Sequence, residues 1–328
     1  MRAAIAAWVT VVVLLLGGGR AAHADVEPVA AAPAAPIKVT VGIYVNHVYG
    51  IDIKNNSFNV DFYVWFRWTP VEGIELKPVD TFELSNGRIT SKAGVSKKTI
   101  GGQTYVIARI VASITKFWDL RRFPLDDHTL ELQVEDSEHD ARTLVYDGDT
   151  ANATVSPELQ VSGWQVTGNH GAISAHAYHT NYGDTSLPHD RESTYSRYVF
   201  GIDIERPGYG RFMKVFFGLF ISVLISWCAF HVRPKESSPR VSLGVGATFA
   251  AAAVTVAINN SLPDTNDVTM ADKLIMLTLG IIVLSVAETI TALALVARGK
   301  EALQQRLDRI CAYAFPVAYL VVLVLIVV

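Results

Sequence analysis

Cysteine is nearly absent: the 328-residue chain holds two, Cys228 and Cys311, both inside apolar runs. That excludes a small fold stapled by disulfides, and no Cys/His spacing of a zinc site occurs. A basic stripe is also missing and the net charge is −3, so nothing points to a nucleic-acid partner. No nucleophile elbow, phosphate loop or His-Glu-x-x-His motif is present, and the acidic stretch from Glu135 to Asp140 lacks the spacing of an EF-hand. Neither an enzyme nor a bound cofactor is expected.

Apolar residues are abundant, at 50% of the chain, and unevenly placed. The N-terminus reads as a signal peptide over 1–24: Arg2 is the positive start, Ile5 to Leu16 the apolar stretch, and Ala22-His23-Ala24 the small-x-small cleavage site. An Ala/Pro-rich tether over 25–36 follows.

From Ile37 to about Arg206 the hydrophobic period is two, as in Phe58 to Trp68, His128 to Val134 and Tyr195 to Glu205. Turn-rich clusters separate the runs, so residues 37–207 read as an all-β, immunoglobulin-like sandwich of antiparallel strands. Beyond Pro207 the character changes. Four nearly uncharged runs predict membrane helices at about 210–231, 239–261, 270–297 and 308–328, an all-α transmembrane bundle over 208–328. Arg233, Lys235 and Arg240 lie between the first two runs, and Arg298, Lys300, Arg306 and Arg309 between the last two. Asp264, Asp267 and Asp272 lie between the second and third. The positive-inside rule therefore places the β domain outside the cell membrane, extracellular or periplasmic, as the signal peptide does independently.

The second run is the odd one. It is rich in Gly, Ala, Ser and Thr and ends in Asn259-Asn260. At helical spacing Ser242, Gly246, Phe249, Ala253, Val256 and Asn260 share one face, polar at both ends and apolar in the middle. Such a face suits either a water-filled path or close packing between helices, and composition alone leaves the two readings level.

Ordered motifs run through the chain: Trp118 to His128 with Phe123-Pro124-Leu125-Asp126 at its centre, Arg206-Pro207-x-Tyr209, Pro239 to Val245, and Ser261-Leu262-Pro263. With Gly42-Ile-Tyr44, Ile225-Ser-Trp227 and Ala314-Phe-Pro316, they resemble the pentameric ligand-gated ion channels, the Cys-loop receptor superfamily in its prokaryotic form. Lys116 and Leu130 stand where animal members carry the loop cysteines, so no signature disulfide forms.

The resemblance implies a homopentamer in the lipid bilayer that passes inorganic ions. It makes Phe249 an apolar ring of the pore and Asp126, Arg206, Phe123, Pro124, Leu262 and Pro263 the coupling elements between domains. Glu236 and Arg240 fall at the inner mouth, where a carboxylate ring favours cations and an arginine ring anions; selectivity stays open. It places agonists between subunits, here at Tyr63, Glu138, His179, Tyr182 and His189, a set suited to a small amine, a proton or a divalent cation. The competing reading is a membrane-anchored sensor whose helices do not conduct.

Overall fold

A computed structural model describes residues 35–183, 185, 192–233 and 237–327. The expected signal peptide, most of the tether, His189 and Glu236 lie outside the described residues.

The β domain consists of ten strands: β1 (Ile37–Asp52), β2 (Ser57–Trp68), β3 (Phe82–Leu84), β4 (Gly87–Ile100), β5 (Gln103–Thr115), β6 (Asp127–Asp136), β7 (Leu144–Gly148), β8 (Thr154–Val155), β9 (Gln165–His179) and β10 (Glu192–Glu205). One sheet has the order β4-β5-β2-β1-β7, with β8 beside β1; the other is β3-β6-β10-β9. Antiparallel register pairs Phe62 with Ile110 and Phe200 with Leu132, so each strand sends alternate residues inward. Phe58, Val60, Phe62, Val64 and Phe66 from one sheet meet Leu130, Leu132, Val134, Tyr198 and Phe200 from the other in a dry core. That core stands in for the disulfide this domain lacks.

Gly42 is required by a close approach. A Cβ there would lie 2.2 Å from the Trp65 ring, whose indole donates to Asp149 at 3.0 Å. Gly42→Ala must push the indole off its partner, and a loss of about 1–3 kcal/mol in thermal or denaturant unfolding is expected.

Four long helices follow: α1 (Gly210–Cys228), extended by a 3₁₀ turn over Ala229–His231, then α2 (Ser237–Ser261), α3 (Met270–Ala297) and α4 (Glu301–Val327). All four are long and apolar enough to cross a membrane. Thr269 and Asp272 form a reciprocal capping box that starts α3. Pro316 lies inside α4 and brings no N–H, which leaves the Ala312 carbonyl four residues back without its helical donor. The Trp227 indole of α1 fills that vacancy at 2.8 Å, tying two of the sequence motifs together.

α4 begins seven residues earlier than the hydropathy pattern suggests. The charged stretch Glu301 to Asp308 reads as loop by composition but continues the helix, with Gln304 and Asp308 bonded across one turn. The link between α3 and α4 is correspondingly short, turning at Gly299 with φ of 72°.

Candidate functional site

Among the described residues, loops of the β domain touch the helices directly. The Lys54 ammonium, on the turn between β1 and β2, donates to the Asn260 carbonyl near the end of α2 at 3.0 Å. The Arg121 carbonyl, on the loop between β5 and β6, accepts from the Met270 amide that opens α3 at 2.9 Å. The Arg211 guanidinium at the start of α1 lies 5.9 Å from the Phe123 ring centroid. The segment bearing Leu262 and Pro263 is thus bracketed by contacts from two loops of the β domain, and Leu262 packs against the core.

Just above, Asp126 and Arg206 come together, buried. Asp126 Oδ1 accepts from Arg206 Nε at 3.5 Å, and Oδ2 is 2.7 Å from His128 Nε2. Arg206 also lies 3.4 Å over the Trp164 ring and donates to the Gly163 carbonyl at 3.0 Å. Trp118 meets His128 edge-on with centroids 4.9 Å apart, closing an aromatic wall round the pair. Burial alone would push the Asp126 carboxyl up; the His128 hydrogen bond and the Arg206 charge outweigh it and hold it below the usual carboxylate value. Burial lowers Arg206 to about 10 despite the Asp126 charge. Both groups are ionised at neutral pH. Phe123 and Pro124 are buried in the same loop and are joined by a cis peptide bond.

On α2, Ser242, Gly246, Phe249, Ala253, Val256 and Asn260 are all exposed, with Phe249 73% open. Gly244, Ala247, Ala251 and Ile258 are buried on the opposite face. Small residues make that seat possible: a Cβ at Gly244 would come within 2.9 Å of Val286. The Thr248 and Thr255 hydroxyls return to carbonyls of their own helix, so the exposed face carries few unpaired polar groups.

Arg240 is a correction to the sequence expectation. Its side chain is 0% exposed and is not presented at the inner mouth. The guanidinium reaches back to α3 and α4, donating to Glu288 at 2.7 Å and to Asp308 at 2.8 and 3.0 Å. Two carboxylates in a low-dielectric bundle hold an arginine more strongly than water at a helix end does.

The expected ligand residues fall into two groups. Tyr63 lines a cavity of about 430 Å³ on the outer face of the first sheet, with Tyr44, Trp65, Arg67 and Tyr105. Glu138 and His179 belong to the second sheet and its loops, and Tyr182 follows at the tip of the β9–β10 hairpin. All three are exposed, and His179 lies 3.9 Å from Glu192. Beside them is a cluster the sequence reading missed: Tyr178 donates to Glu135 at 2.8 Å, Arg197 pairs with Glu135, and Tyr195 and Tyr182 approach the Tyr178 ring. Burial and the Glu135 hydrogen bond push the Tyr178 phenol up to about 12.

No protein-family model matches the chain. Among curated proteins it is 22% identical over 303 residues to a proton-gated ion channel of Gloeobacter violaceus, covering 87% of this chain and 81% of that one. It is 21% identical over 277 residues to the human gamma-aminobutyric acid receptor subunit rho-3, covering 77% of this chain and 57% of that subunit. A pH-sensitive chloride channel 2 of Anopheles gambiae is 22% identical over 257 residues, covering 70% of this chain and 41% of that channel.

The chain is thus similar over most of its length to pentameric ligand-gated ion channels, and it shares their order of a β-sandwich followed by four apolar helices. Those relatives are membrane channels rather than enzymes, and this chain carries four membrane-capable helices after an extracellular-type β domain.

The missed residues have two kinds of signal. His128, at the start of β6, follows Asp126 by two positions, close enough for the 2.7 Å contact between them. Lys54 and Trp164 carry no local signal, because each acts on a residue distant in the sequence.

Proposed function

We propose that copies of this chain assemble as a homopentamer round a pore lined by α2, gated by a ligand bound to the outer domain. The observation that carries the reading is the continuous exposed stripe from Ser242 to Asn260, with Phe249 at mid-helix and small residues buried behind it. Five Phe249 rings form an apolar constriction that closes by dewetting. In one subunit Tyr63 and the hairpin lie on outer faces of different sheets, so a shared site forms where two subunits meet. A small amine, a proton or a divalent cation is the expected effector.

Voltage-clamp recording of the purified protein in bilayers tests this, with stepped outer pH, divalent concentration and candidate amines. Reversal potentials in asymmetric salt assign the selectivity. Phe249→Ser is expected to conduct without agonist, raising resting current about ten-fold or more. If that variant stays silent in protein shown to reach the membrane as a pentamer, the non-conducting sensor is the correct reading.

A further inference from the structure

The β domain carries a polar cavity of about 1240 Å³ where the edges of the two sheets part. It shares no lining residue with the pocket at Asp126 and Arg206 or with the Tyr63 pocket. Arg88, Lys116 and Phe117 line it together with Glu131 and Gln133. Among the described residues neither Arg88 nor Lys116 makes an ion pair, and Glu131 accepts instead from Gln133 at 2.9 Å.

The site is built on fixed backbone. The Lys116 amide donates to the Asn56 carbonyl and the Thr115 amide to the Asn86 carbonyl, each at 2.8 Å. The Lys116 ammonium stands 5.3 Å from the Trp118 ring centroid, half-buried. Burial lowers its pKa, against a weaker opposing pull from Glu131. Beside it the Phe117 ring is 82% exposed. Two cations, one carboxylate and a bare aromatic edge describe a receptor for an anion with an apolar body.

From the cavity a hydrogen-bond path leads to the hairpin. Gln133 Oε1 accepts from Arg197 at 3.2 Å, and Arg197 holds Glu135 and the Tyr178 hydroxyl. We propose that this cavity binds a small organic carboxylate between Lys116 and Arg88, and that Gln133 transmits its occupancy to the β9–β10 hairpin. The ligand completes the charge balance of the cavity and draws Gln133, hence Arg197, toward it.

Isothermal titration of the full-length protein in detergent with benzoate tests the site, with benzylamine as the cation of the same shape. Saturable benzoate binding is expected, weakened about ten-fold by Lys116→Gln or Arg88→Gln. Lys116→Arg should retain it, and Glu131→Gln should tighten it. Elution volume and melting temperature of each variant establish that it is folded. Hydrogen exchange reads the second half: benzoate should protect residues 172–179 in the wild type and not in Gln133→Leu. No saturable binding up to ~10 mM, or equal affinity in wild type, Lys116→Gln and Arg88→Gln, overturns the site. Bound benzoate with an unprotected hairpin overturns the transmission.

Discussion

Arg240→Gln is expected to cost about 3–5 kcal/mol of stability in the helix bundle, because it strands Glu288 and Asp308 in a desolvated site. The geometry leaves little room for repair. Glu288 is almost as buried as Arg240 and Asp308 is partly so, and the second oxygen of Glu288 already has no partner among the described residues. Thermal unfolding of the purified protein, followed by loss of the oligomer peak, measures the effect. Replacing all three groups together by Met, Leu and Leu should recover most of the loss, since an apolar trio is nearly equivalent to a satisfied ion cluster. A mouth-lining arginine behaves in the opposite way: its removal shifts the reversal potential and leaves the melting temperature alone. That outcome would return Arg240 to the pore.

Asp126→Asn is the second large effect. It keeps the shape of the side chain but leaves the Arg206 guanidinium over Trp164 without a counter-charge, at a cost of about 3–5 kcal/mol. Arg206→Gln should cost a similar amount and the double variant less than the sum, the signature of a coupled pair. The pH dependence follows from the direction of the Asp126 shift. Its folded value lies below its unfolded value of about 3.9, so its contribution is whole above that value and fades as pH falls through the folded one. Stability curves of wild type and Asp126→Asn should therefore run parallel at neutral pH and converge only below about pH 4. If the variants melt as wild type yet lose agonist-evoked current, the pair serves gating alone.

Much of this was legible because it is written locally. Alternation in β2, β6 and β10 reports a half-buried strand whatever its neighbours are, and four long apolar runs report spans whatever packs beside them. The exposed face of α2 is likewise a consequence of helical period, since small residues at 244, 247 and 251 let that side sink against its neighbours. The family resemblance, carried by the motifs Phe123-Pro124-Leu125-Asp126 and Arg206-Pro207, implied that Asp126 and Arg206 lie at the junction.

What the chain alone determined, then, was its division into an outer β domain and a helical membrane domain, its orientation, and which residues of the second helix share a face. Tertiary structure decided the fate of the charges. Arg240 meets Glu288 and Asp308, 48 and 68 positions away; Lys54 finds Asn260 across 206; Gln133 links the inter-sheet cavity to Arg197 and the hairpin. An ionised group goes wherever folding brings the partner that best replaces its lost hydration. Hydrophobic periodicity reports which face of an element is buried and leaves that partner unnamed.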